Sequence, residues 1–178
     1  MPKALAAAFC AVSLAVSSCS MQPSYSIKVT TADGVDIEVP LTAKAEINAS
    51  DDVMVVRNFR YVPLSKDTDK ALGYFFELQF KNGAKPASVV VDDVSETPIL
   101  SMIADMAPKL VRTDRWDGNA GPYNTADPHV SWLSTLDNGV RVYRITVRMT
   151  DGTTDVLRLP ILMPAGTKNI FRSQLGMK

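Results

Sequence analysis

The chain has 178 residues, enough for one domain with a hydrophobic core. Hydrophobic residues make up 46% of it, which excludes wholesale disorder. Nineteen basic and nineteen acidic residues balance, so the composition holds neither the basic excess of a nucleic-acid binder nor an acidic solvating tail.

The N-terminus stands apart. Lys3 is followed by Ala4 to Val16, an uncharged and mostly apolar run, and then by small residues. A charged start, a short apolar run and a small-residue exit form the pattern of a secretory signal peptide. The run falls short of the roughly 20 apolar residues that a membrane-spanning helix needs. It ends in Val16-Ser17-Ser18-Cys19: an aliphatic residue, two small ones and a cysteine.

These residues resemble the lipobox of bacterial lipoproteins. The resemblance covers residues 1–20 only, and the single Lys3 departs from the several basic residues commoner in that family. It implies a cleaved signal peptide over 1–18, a diacylglyceryl thioether on Cys19, and a lipidated tether over 19–24. Ser20 implies the periplasmic face of the outer membrane, given a two-membrane bacterium. Each buried methylene contributes about 0.8 kcal/mol, so one acyl chain holds marginally and several hold stably. Cys10 and Cys19 are the only cysteines. On this reading the mature chain keeps no free thiol and no disulfide, and an ordinary core must stabilise it.

From residue 25 the dominant pattern is alternation with period two. Tyr25, Ile27, Val29 and Thr31 share one face, then Ala32-Asp33-Gly34, then Val35, Ile37, Val39 and Leu41. A two-residue turn would set apolar residues opposite polar ones. A three-residue loop with Gly34 left-handed pairs Val29 with Ile37, Ile27 with Val39 and Tyr25 with Leu41. The same device is expected at Thr150-Asp151-Gly152, pairing Ile145 with Leu157 and Tyr143 with Leu159. Lys81-Asn82-Gly83 reads as a third hairpin turn, after Tyr74, Phe76, Leu78 and Phe80.

Other segments are less regular. Residues 52–62 carry Val53, Val55, Val56, Phe59 and Tyr61 with charges between them. For residues 99–104, Pro98 argues for an edge strand or a helix start. Asp127-Pro128 reads as a helix N-cap and first helical residue, opening a short turn through Val130, Trp132 and Leu133. Ile170, Phe171 and Leu175 predict one short C-terminal helix. The whole predicts an all-β fold over 25–178: an immunoglobulin-like β-sandwich of about seven to eight mostly antiparallel strands with that helix. A small β-barrel is the alternative.

Residues 113–132 read as a long irregular loop holding both tryptophans and the only histidine. Trp116, Asp117, Tyr123 and His129 form the candidate binding surface, since rigid amphipathic rings anchor interfaces or stack on sugars. The competing reading packs Trp132 into the core and uses Trp116 to pin the loop. Asp114, Asp117 and Asn119 around Gly118 resemble half a calcium loop, but its remaining ligands are missing, so no metal is assigned. Asp92, Asp93 and Glu96 read as a solvated strand end. Asp127, His129 and Ser131 lie too close in sequence to converge as a triad. No nucleophile elbow or phosphate loop is present, so no catalytic residue and no cofactor is assigned.

The expected role is therefore a lipid-anchored, non-catalytic binding or assembly module of the bacterial envelope. Its partners are the membrane, through the lipid, and another envelope protein, with no nucleic acid. The alternative is a cell-wall glycan-binding or glycan-cleaving protein using Trp116, Tyr123 and a carboxylate pair.

Overall fold

The computed structural model describes residues 26–40, 49–63, 70–124, 126–131 and 139–162. The signal peptide, Cys19, Tyr25, Leu41, Trp132, Leu133 and the C-terminal helix read from the sequence lie outside them. Strands β1 (Ser26–Thr30) and β2 (Asp36–Pro40) pair with Val29 opposite Ile37 and Ile27 opposite Val39. The loop is the expected one. Thr31 N–H donates to Val35 O at 2.9 Å, Gly34 N–H returns to Thr31 O at 2.9 Å, and Gly34 has φ +80°. A Cβ there would carry the strain of a left-handed backbone.

Seven further strands build two packed sheets. β3 (Met54–Pro63), β4 (Lys70–Phe80) and β7 (Arg115–Asn124) form one, in the order β3-β4-β7. β5 (Pro86–Asp93), β6 (Leu100–Asp105), β8 (Val140–Met149) and β9 (Thr154–Leu162) form the other, in the order β6-β5-β8-β9. Every ladder is antiparallel. Among the described residues no ladder joins the sheets, so this is an all-β sandwich and not a closed barrel. Of the seven strands, the first, second and fifth form the sheet that packs on the third, sixth and seventh. The fourth, β6, pairs with β5 rather than extending the first sheet.

Alternation explains the core. Leu72, Tyr74, Phe76, Leu78 and Phe80 point inward from β4, opposed by Val89 and Val91 of β5, Tyr143, Ile145 and Val147 of β8, and Leu157 and Leu159 of β9. At its centre Phe59, Phe76 and Tyr143 pack with ring centroids 5.0–5.5 Å apart. Each such pair adds about 0.5–1.5 kcal/mol beyond area burial. β3 owes its irregular sequence to a bulge. Val56 faces Leu78 and Asn58 faces Glu77, so Arg57 is an extra residue. The inward set switches there from Met54 and Val56 to Phe59 and Tyr61.

The second glycine loop also follows expectation: Ile145 faces Leu157, Tyr143 faces Leu159, and Gly152 has φ +90°. Lys81-Asn82-Gly83 does not make a hairpin. Asn82 and Gly83 do turn with φ +53° and +72°, and Ala84 N–H donates to Lys81 O at 3.0 Å. The turn instead carries the chain from β4 in one sheet to β5 in the other. Residues 99–104 resolve as the edge strand β6.

Candidate functional site

The expected 113–132 loop is corrected by strand β7. Its odd residues Asp117 and Asn119 face solvent, while Trp116, Gly118 and Ala120 face the core. Trp116 is 1% exposed, and its Nε1–H donates to Asp105 Oδ2 of β6 at 2.9 Å. A Cβ on Gly118 would stand 2.1 Å from Cη2 of that indole, so the glycine makes the space for the ring. Trp116 is thus a core residue, not part of an exposed binding surface. Asp117 lies on the opposite face of the sheet, across from Glu77.

Only Tyr123 and His129 come together. Leu72 faces Tyr123 whereas Tyr74 faces Ala120, so β7 carries an extra residue at Gly121-Pro122. That bulge turns Tyr123 back toward the core side. A short helix α1 (Pro128–Ser131) follows, opening where the Asp-Pro pair predicts it. The His129 ring stacks on Tyr123 with centroids 4.0 Å apart and planes 7° from parallel. His129 Nε2 lies 3.2 Å from Ser101 O of β6, and a carbonyl only accepts, so that nitrogen carries the proton. Asp127 instead accepts from Asn124 N–H at 2.7 Å. Asp127 and His129 therefore serve different backbone groups. Burial, helped by the Asp127 charge, holds the Tyr123 phenol above its ordinary pKa.

Beside this stack the sandwich end opens into a cleft of about 190 Å³, lined by Asp93, Glu96, Thr97, Pro98, Leu100, Pro128 and Arg141. The cleft follows from register. Asp93 ends β5 opposite Tyr143, and Arg141, the second residue of β8, lies two residues earlier on the same inward face. Arg141 Nη2 donates to Asp93 Oδ2 at 2.6 Å, and Nη1 donates to Glu96 Oε1 at 2.9 Å. The Arg141 and Asp93 side chains are 2% and 1% exposed; Glu96 is 67% exposed. Asp93 Oδ1 also accepts from Ser95 N–H and Oγ–H, at 3.0 and 2.6 Å. Behind the pair stand Tyr61, Tyr74 and Tyr143, whose phenols burial pushes far above their ordinary range.

The reading of Asp92, Asp93 and Glu96 as a solvated strand end is thus corrected for the buried Asp92 and Asp93, while Glu96 is exposed. On the outer face of the same sheet, Asp92 accepts from Arg144 at 2.8 Å. Arg144 and Arg158 face each other across β8 and β9, and Asp33 of the β1–β2 loop accepts from both, at 3.0 and 2.8 Å. Burial raises the Asp33 carboxyl, but the Thr31 hydroxyl and the two guanidinium groups outweigh it and hold it below the ordinary value. These pairs are hidden in the sequence because their partners lie from 48 to 125 residues apart in the chain. The available signal was two arginines in phase with two aspartates on facing strands. No group of three or more metal-ligating side chains forms among the described residues. No protein-family model and no characterised protein matches the chain.

Proposed function

We propose that this chain is a lipid-anchored protein of the bacterial envelope whose sandwich is a non-catalytic binding or assembly module. The observation that carries the reading is Val16-Ser17-Ser18-Cys19 directly after the apolar run Ala4–Val16. A cysteine acylated there holds the first strand within a few residues of the membrane, at most about 3.5 Å per residue away. Ser20 favours the outer membrane over the inner. The described side chains fit a binding role. Asp93 and Glu96 are clamped by Arg141, and His129 Nε2 is committed to a backbone carbonyl, so these groups already serve the structure. The ring of Trp116 is buried and cannot stack on a sugar, so the glycan reading is not carried further.

The test is phase partition in detergent of the chain and its Cys19→Ala variant. The native chain is expected in the detergent phase and the variant in the aqueous phase; identical partition removes the anchor. For the module role, cross-linking in cells should yield the same envelope protein in every repeat, and no reproducible product removes that role.

A further inference from the structure

We propose that the cleft at the sandwich end takes the side chain of a lysine or arginine presented by a protein partner. This rests on the binding-module reading above. The charge that a visitor can reach there is negative. Arg141 and Asp93 are almost wholly buried, whereas Glu96 is 67% exposed. Among the described lining residues one guanidinium opposes two carboxylates, which leaves one negative charge over, and the accessible carboxylate carries it.

The rest of the lining suits the stem of such a side chain. Pro98, Leu100 and Pro128 offer apolar wall for methylenes, and Glu96 offers the terminal charge. Lysine and arginine combine those two features in one side chain. The volume of about 190 Å³ is below the roughly 300–1,000 Å³ of pockets that enclose whole small ligands, so one side chain fits it better than a free molecule. Arg141 holds Glu96 at 2.9 Å, which fixes the carboxylate before a partner arrives and lowers the ordering cost of binding. An anion would meet the surplus negative charge and would have to displace Glu96 from Arg141.

The test is an NMR titration of the isotope-labelled full chain in detergent with Nα-acetyl-lysine methyl ester. The amides of Ser95, Glu96, Thr97, Ile99 and Leu100 report the site. Progressive shifts are expected with this probe, and none with its Nε-acetylated, uncharged form or with butyrate. In Glu96→Gln the amide oxygen still accepts from Arg141, and the probe should bind about fivefold more weakly, as for loss of one partly exposed ion pair. Absence of shifts, equal shifts with the uncharged probe, or unchanged affinity in Glu96→Gln overturns the proposal. The comparison of charged and uncharged probes on the native chain decides the matter even if the variant folds poorly. These outcomes leave the module role standing, since it fails only when cross-linking yields no reproducible partner.

Discussion

Arg141 Nη2 stands 2.6 Å from Asp93 Oδ2 at the end of the sandwich, and both side chains are sealed from solvent. Removing Asp93 leaves the buried Arg141 guanidinium with the largely exposed Glu96 as its described counter-charge and Ser95 without its carboxylate acceptor, which costs up to about 3–5 kcal/mol. Asp93→Ala should lose stability of that order in urea unfolding. Replacing both residues with apolar ones of similar volume should cost far less, because a buried pair contributes little net stability. A loss under about 1 kcal/mol for Asp93→Ala alone would show that water reaches the pair.

Gly118 gives the indole of Trp116 its space. In Gly118→Ala the new methyl would lie 2.1 Å from Cη2 and 2.6 Å from Cζ2, so the ring must move. Overpacking of this kind costs about 1–3 kcal/mol. Displacement also breaks the indole bond to Asp105. Calorimetry should show a lower Tm, and in a Trp132→Phe background acrylamide should quench the remaining tryptophan more readily. Unchanged quenching would contradict the packing described.

Asp155 of β9 titrates against its setting. Burial raises its carboxyl, and the nearby Asp51 carboxylate raises it further. A raised carboxyl binds its proton more tightly in the folded state, so stability falls as pH rises from the unfolded value near 3.8 through the folded value. Asp155→Asn should therefore melt higher at pH 7, by roughly 1–2 °C for a partly solvated pair, and equally with the native chain at pH 3. A lower Tm for the variant at pH 7 would contradict this.

Asp33 is the clip of the β1–β2 hairpin. Its carboxyl is depressed, so its contribution is full above the unfolded value of 3.8 and is lost as pH falls through the folded value. The hairpin loop also donates Ala32 N–H to Val94 O at 2.7 Å. Asp33→Ala leaves Arg144 and Arg158 facing each other with Asp92 as the remaining counter-charge. Hydrogen exchange should speed up at Ala32 and across β1 and β2, with global stability reduced by about 1 kcal/mol or less. Unchanged exchange at Ala32 would show that other contacts seat the hairpin.

Local patterns were legible in the sequence, and non-local ones were not. Both glycine loops could be read because burial of one face and a left-handed glycine admit a single register. The Asn82-Gly83 turn has the residues of a hairpin, yet only distant pairing decides that the chain leaves for the other sheet. In sequence β7 reads as a loop because Gly118, Asn119, Gly121 and Pro122 are turn formers. Those glycines instead make room, Gly118 for an indole and Gly121 at a bulge where a Cβ would meet Leu72 O at 3.0 Å. The chemistry of Tyr123 and His129 marks them in the sequence. Arg141 carries no such mark, because nothing near it in the chain signals its carboxylate partners.

Mass spectrometry of the N-terminal peptide of the chain recovered from bacterial membranes addresses the proposed role most directly. A peptide beginning at Cys19 and carrying a diacylglyceryl thioether is the result expected. A peptide beginning at Met1, or a Cys19 with an unmodified thiol, would contradict the lipid anchor on which that role depends.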